Sequence, residues 1–392
     1  MTQHQSEIKE PTIYLIAGEP SGDALGASLM NSLNIHFGGK VRFCGVGGDK
    51  MTKEGLRSLF PMKDITLMGF IEILPHIPRI LIKIRMVIRD IKKKRPDCLV
   101  TIDSPEFNFR VGRVIKRKVN IPIIHYVAPS VWAYRPNRAK KISKFLDHIL
   151  VLFPFEVPYF ADVGIPTTFV GHPLYEKIKS FEQRDHKNFI TSIKADNDDI
   201  LISVLPGSRV GEIKKHIELF REVIENLSLK YPKLKVLMPV AEGLEEEIKS
   251  LTISWPVPVY LINGENDKYT AFHSSKVALA VSGTVTLELG LCNVPMVVAY
   301  RANFITAAIA KKIVNIESIS LSNIIIGKAI APEFLQEDAN VYNISKAIEK
   351  LLDSELEREN QLKHWRLLHR KLTAGDERAS KYATNAILRF IN

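Results

Sequence analysis

At 392 residues, with 46% hydrophobic and 25% charged side chains, the chain suits two or three globular domains, and its composition excludes a disordered one. Its net charge of +11 is unevenly placed: residues 1–150 carry 25 Lys and Arg against 13 Asp and Glu, while the remainder balances to within one charge. That asymmetry predicts an anionic partner for the N-terminal half, be it nucleic acid, a phosphorylated substrate or an acidic membrane surface.

The first residues are polar and lack an apolar signal core, and no window reaches the length of a membrane-spanning helix. The expected location is therefore the cytoplasm, free or peripheral on a membrane. The chain opens on an apolar run at 13–17, then the turn Gly18-Glu19-Pro20-Ser21-Gly22-Asp23 and a helix through 24–33. This turn has neither the GxGxxG spacing nor the Lys-Ser/Thr pair of a P-loop, so it does not predict a dinucleotide or ATP site. Glu19, at a strand end, serves either as an acid or base or as an acceptor for helix N–H groups. Further apolar runs at 41–46, 98–102, 123–127 and 149–152 alternate with helical stretches. That is the pattern of a parallel sheet covered on both faces. Between 79 and 95 stand eight basic residues and one acid, with Ile80, Ile84, Ile88 and Ile91 at helical spacing. The preferred reading is a core stripe with a solvated basic face. The run at 98–102 leads into Asp103-Ser104-Pro105-Glu106, two carboxylates three residues apart on a strand-end loop. A carboxylate there either takes a proton from an attacking hydroxyl or caps a turn.

Near residue 172 the alternation pauses, and it restarts with apolar runs at 200–205, 236–240, 259–262, 277–281 and 295–300. The prediction is two doubly wound α/β domains, followed by a purely helical stretch from about 341. After the first of these runs comes Leu205-Pro206-Gly207-Ser208-Arg209. Pro and Gly turn the chain tightly; Ser and Arg offer donors to a diphosphate, or the segment is an ordinary strand–helix turn. Ser282-Gly283-Thr284-Val285-Thr286-Leu287-Glu288 follows a later run and opens a helix, where small residues and N–H groups suit a phosphate. Glu288, one turn beyond Thr284, suits the hydroxyls of a ribose. Taken together the two turns favour a nucleotide. Cys44, Cys98 and Cys292 lie apart in apolar stretches and read as buried free thiols. His125, His172 and His273 lack ligand spacing and read as core or hydrogen-bonding histidines.

In this order the motifs resemble those of the lipid-A-disaccharide synthase family over almost the whole chain. They run from Ala17-Gly18-Glu19-Pro20-Ser21-Gly22-Asp23 through Leu67-Met68-Gly69-Phe70-Ile71-Glu72, Ile102-Asp103-Ser104-Pro105-Glu106-Phe107-Asn108 and His125-Tyr126-Val127-Ala128-Pro129-Ser130-Val131-Trp132-Ala133. Phe169-Val170-Gly171-His172-Pro173, the two turns of the second half, Val298-Ala299-Tyr300-Arg301 and Ser320-Leu321-Ser322-Asn323 complete them.

The resemblance implies an inverting glycosyltransferase of GT-B architecture: two Rossmann-like domains facing a central cleft, with a helical C-terminus. Residues 1–172 would form the acceptor and membrane domain and 173–364 the UDP-sugar domain. Residues 365–392 would pack back on an N-terminal domain, exchanged between subunits of a homodimer. The implied reaction moves 2,3-diacylglucosamine from its UDP derivative to 2,3-diacylglucosamine 1-phosphate, giving a β-1,6-linked disaccharide 1-phosphate and UDP. No cofactor, no metal and no nucleic acid is implied.

The family's usual loop is Ile-Asp-Ala-Pro-Asp-Phe-Asn; Ser104 and Glu106 replace two of its residues, so Glu106 and then Asp103 are the candidates for general base. Glu19 matches an acidic position of the acceptor site. Gly207, Ser208, Arg209, Ser282, Gly283, Thr284, Thr286, Glu288, Arg301 and Asn323 match the donor side. Because the implied substrates carry acyl chains, Leu67, Met68, Phe70, Ile71 and Leu74 read as a lipid patch on an anionic membrane. The alternatives are another GT-B UDP-sugar enzyme, such as a peptidoglycan glycosyltransferase or a UDP-sugar epimerase, and a basic nucleic-acid-binding protein without catalysis.

Overall fold

A computed structural model describes residues 10–66, 77–132, 137–181, 186–196, 198–302 and 318–391. The chain divides into two compact units, Met1–Pro173 with Leu372–Asn392, and Leu174–Lys371.

The first unit is built on β1 (Thr12–Ala17), β2 (Arg42–Val46), β3 (Arg57–Ser58), β4 (Cys98–Ile102), β5 (Ile123–Tyr126), β6 (His148–Val151) and β7 (Thr167–Phe169). All pairs are parallel, in the order β3-β2-β1-β4-β5-β6-β7. The apolar runs become its long strands because each is buried on both faces. On β1, Tyr14 and Ile16 enter one core and Ile13, Leu15 and Ala17 the other. The first core takes Ile80, Ile84, Val87 and Ile91 from the helix Ile77–Lys94, so its isoleucine stripe is core; Lys83 pairs with Asp64 at 2.7 Å over the Phe60 ring, while its other basic residues face outward. The second core takes Leu29, Met30 and Leu33 from the helix Pro20–His36, together with Ala383, Ala386 and Ile387 of the C-terminal helix Ala379–Leu388. Thr384 Oγ1 donates to Ser32 Oγ at 2.9 Å across that helix pair.

The second unit contains β8 (Ile200–Leu205), β9 (Leu234–Pro239), β10 (Val259–Ile262), β11 (Val277–Ala280), β12 (Met296–Tyr300) and β13 (Glu333–Leu335). These are parallel in the order β10-β9-β8-β11-β12-β13. The strands that the sequence does not announce, β3, β7 and β13, are two or three residues long, too short for a recognisable apolar run.

The return to the first unit falls at Leu372, not at 365 as expected from sequence. Trp365 and Leu368 are fully buried in the second unit, and the Trp365 indole N–H donates to the Val294 carbonyl at 3.1 Å. Gln361 brackets the Met296 backbone, accepting from its N–H at 2.8 Å and donating to its carbonyl at 3.1 Å. The three cysteines are buried and form no disulfide among the described residues. Among the described residues no helix is long and apolar enough to cross a membrane.

Strand order fixes where ligands belong. In the first sheet successive connections run outward from β1 on one side and from β4 on the other; in the second, β8 and β11 play these parts. The loops leaving their carboxyl ends diverge at such a switch point and leave a crevice. The four motifs singled out from sequence are those four loops.

Candidate functional site

In the first unit β1 ends at Ala17 and β4 at Ile102, paired in register. Asp103 and Ser104 follow, both left-handed, with φ of +49° and +39°. A side chain in that region costs roughly 1–2 kcal/mol, so the loop needs compensating bonds. Asn108 supplies them, its amide donating to the carbonyls of Ile102 at 3.1 Å and Asp103 at 2.8 Å. The Asp103 N–H donates to the Tyr126 carbonyl at 3.0 Å, and Asp103 Oδ1 accepts from the Gly18 N–H at 3.1 Å.

Two glycines of the first loop are demanded by this packing. A Cβ on Gly22 would lie 1.8 Å from Asp103 Oδ2, and one on Gly18 would lie 2.1 Å from Ser104 Oγ. Asp103 is thus sealed: Oδ2 is buried with no hydrogen-bond partner among the described residues, and burial pushes the carboxyl up to about 7. Glu106 differs. It sits in the first turn of the helix Pro105–Lys118, its side chain is 51% exposed, and Oε1 accepts from Arg138 Nη2 at 2.9 Å. Glu19 is exposed at the N-cap of its helix and makes no side-chain capping bond. The neighbouring Asp23 is buried and accepts from the N–H groups of Gly48, Lys50 and Met51, a structural anchor for the loop after β2.

Sequence reasoning missed Arg138, a basic residue far along the chain that only the fold brings to Glu106. It also missed Glu156, buried beside the β6 end and pushed up to about 7 by that burial. Glu156 accepts from the Trp132 indole at 3.3 Å and the Phe153 N–H at 3.2 Å. His125 lies in the core as expected, hydrogen-bonded to Thr101 Oγ1 at 2.8 Å and pushed down to about 3 by desolvation. The residues Leu67, Met68, Phe70, Ile71 and Leu74 lie outside the described residues.

In the second unit the turn after β8 carries Gly207 at φ +138°, and Arg209 forms the extended N-cap of the 21-residue helix Val210–Lys230. A Cβ on Gly207 would lie 2.5 Å from Glu212 Cγ, and Glu212 Oε2 accepts from the Ser208 N–H at 3.0 Å. The turn after β11 carries Gly283 at φ +151° as N-cap of the helix Thr284–Leu291. Between the two turns opens a cavity of about 620 Å³, lined among others by Gly207, Ser208, Gly283, Thr284, Lys268 and Glu288. Beside it a second space of about 530 Å³ is lined by Arg209, Lys215, His216 and Tyr300, and shares Ser208, Ser282, Gly283 and Thr284 with the first. Each is large enough for a small-molecule ligand. Glu288 accepts on Oε1 from Lys268 Nζ at 2.8 Å and from the Tyr269 hydroxyl at 3.0 Å, two residues that nothing in the sequence marked.

Several of the expected donor residues are committed elsewhere. The Ser282 hydroxyl donates to the Ile319 carbonyl at 2.7 Å, and buried Thr286 donates to the Gly283 carbonyl at 2.9 Å. Arg301 directs Nε and Nη2 to the Ala339 carbonyl, at 3.0 and 2.5 Å, and lines neither cavity. Asn323 is 1% exposed and is fully engaged by the groups around it. Its amide donates to the Ala331 carbonyl and to Glu333, and its carbonyl accepts from the N–H groups of Ile330 and Ala331. Arg301 and Asn323, expected on the donor side, in this arrangement brace the segments beside the cavity.

The family model described as lipid-A-disaccharide synthetase matches residues 13–387. A lipid-A-disaccharide synthase of Rhodospirillum centenum is 42% identical over 385 residues, covering 98% of this chain and 96% of that one. Among solved structures, the S. aureus MnaA–UDP co-structure aligns with a TM-score of 0.65 at 15% identity, covering 98% of this chain and 97% of that one. A UDP-GlcNAc 2-epimerase from Neisseria meningitidis bound to UDP-GlcNAc aligns at 0.61 with 14% identity, covering 97% and 100%. These two similarities bear on the fold alone.

Proposed function

The chain belongs to the lipid-A-disaccharide synthase family of glycosyltransferases, and on that premise we propose how its two units share the transfer. The second unit takes UDP-2,3-diacylglucosamine and the first takes 2,3-diacylglucosamine 1-phosphate. What carries this reading is that both carboxylate loops stand at the switch point of one sheet and both phosphate-type turns at that of the other, around a cavity of about 620 Å³.

Glu106 removes the proton from the acceptor 6-hydroxyl. The oxygen attacks the anomeric carbon of the donor, the bond from that carbon to the diphosphate breaks, and UDP departs with the electron pair, inverting the centre. Arg209 and the N-terminal end of Thr284–Leu291 stabilise the charge that develops on the leaving diphosphate. Two features favour Glu106 over Asp103. Glu106 is half exposed and engages Arg138 through one oxygen, whereas the unpartnered oxygen of Asp103 is closed off against Gly22. Asp103 is instead the clasp between the two loops. Acceptor and donor both carry acyl chains, which fits attachment of the apolar segment Leu67–Leu74 to an anionic bilayer. We also propose a homodimer in which residues 372–392, joined to the second unit by a single strand of chain, exchange between subunits.

The test measures UDP release with the acylated donor and acceptor, and with unacylated UDP-sugars as controls. Glu106→Gln should cut turnover by about 10²–10⁴-fold, and Glu106→Asp should restore a substantial part of it. Turnover by UDP-N-acetylglucosamine alone would point to an epimerase-like chemistry instead. An acid limb near 7 in the rate profile that disappears in Asp103→Asn would transfer the role of base to Asp103.

A further inference from the structure

Glu288 is the one acid of the helix Thr284–Leu291 that reaches the donor cavity, and its carboxylate is held unsymmetrically. Both the Lys268 ammonium and the Tyr269 hydroxyl bond the same oxygen, Oε1. Among the described residues no side chain or backbone group donates to Oε2. A carboxylate held in this way cannot rotate to present either oxygen at will. One oxygen has its lone pairs filled, and the other keeps its full accepting capacity for a ligand.

We propose that Tyr269 and Lys268 are positioning residues for the donor's ribose: they fix Oε1 of Glu288 so that Oε2 receives the ribose hydroxyls. The inference rests on the donor reading given above. The anchor is rigid for independent reasons. Tyr269 is fully buried, with its ring 5.1 Å from that of Phe181 and 6.2 Å from that of Phe272, so its hydroxyl has a fixed place. Burial and the adjacent Glu288 push its phenol well above the ordinary range, so it remains a donor at every working pH. The Lys268 ammonium lies 4.6 Å from the centre of the same ring, and its side chain lines the cavity. It is thereby held between the ring and the carboxylate. Without these two donors Glu288 would be a flexible anion near a diphosphate, repelling the ligand it is placed to recognise.

The consequence is selectivity for ribose over deoxyribose, which a merely structural pair would not produce. Binding of UDP and of 2′-deoxy-UDP is measured by calorimetry on the full chain, on Tyr269→Phe and on Lys268→Met. The wild type should prefer UDP by about tenfold or more, the worth of one charge-assisted hydrogen bond. In each variant that preference should fall to about threefold or less, while Lys268→Arg keeps most of it. Tyr269→Phe preserves the ring and its packing, and Lys268→Met is at the cavity wall, so both are expected to fold. Variants that bind both nucleotides more weakly but retain the wild-type preference would overturn the inference and leave the donor site standing. A wild type that binds UDP and 2′-deoxy-UDP equally would overturn it too, and one that binds neither would remove the donor reading itself.

Discussion

Asn323 offers a direct trial of whether a family-matched polar residue acts on substrate or on its own fold. The substitution Asn323→Ala removes four hydrogen bonds: two donated by Nδ2, to the Ala331 carbonyl at 2.9 Å and Glu333 Oε1 at 2.7 Å, and two accepted by Oδ1, from Ile330 and Ala331 at 3.0 Å. The Ala331 N–H and carbonyl lose their partner where the side chain is 1% exposed, while the Ile330 N–H keeps a second bond to the Lys328 carbonyl at 3.0 Å. Each stranded buried group costs roughly 1–3 kcal/mol, and a water entering the vacated space offsets part, so a net loss of about 2–4 kcal/mol is expected. With a urea slope of ~2 kcal/mol per molar for a unit of this size, the transition of the second unit should fall by about 1–2 M. Fluorescence of Trp365, buried in that unit, reports it. UDP affinity measured at low temperature without denaturant should stay within about threefold of wild type. Asn323→Asp should be no better, since it keeps the acceptor but sets a second carboxylate against Glu333. A urea midpoint moved by less than about 0.5 M together with a tenfold loss of UDP affinity would refute this account and return Asn323 to the ligand.

Two further outcomes follow from the first unit. Burial raises both Asp103 and Glu156 to about 7, so between pH 4 and 7 the folded state holds protons that the unfolded chain has released. Stability is therefore greatest at the acid end of that window and falls as pH rises through it; thermal midpoints at pH 5 and pH 7.5 should show this, with a smaller fall in Asp103→Asn, and an unchanged fall in that variant would count against Asp103 as a source. Replacing Phe70 and Leu74 by Ser should release the protein from anionic liposomes in flotation, and equal flotation of variant and wild type would count against the apolar segment as the point of attachment.

Much of this molecule is specified locally and is therefore legible in the order of its residues. The apolar runs that form β1, β4, β8 and β11 are nearly continuous because strands buried on two faces favour apolar residues throughout, and the buried exceptions, Thr101 and Ser203, are hydrogen-bonded to His125 and Ser275. The turns after β1, β8 and β11 carry glycines because backbone conformation and close packing exclude a side chain there, as Gly22 against Asp103 and Gly207 at φ +138° illustrate. The isoleucine stripe of Ile77–Lys94 announces its buried face by helical spacing. Partnership between distant side chains is a different kind of information. That Arg138 pairs with Glu106, that Tyr269 and Lys268 bond one oxygen of Glu288, and that Asn323 bonds the backbone around it depends on positions many residues apart. Periodicity and turn chemistry specify which way a segment faces; only folding decides what it meets there. The sequence by itself therefore determined the long strands, the loops that bear the chemistry and the family. The tertiary structure decided which carboxylate stays open to a ligand and which is sealed, because burial and bonding are set by neighbours that the chain brings together from afar.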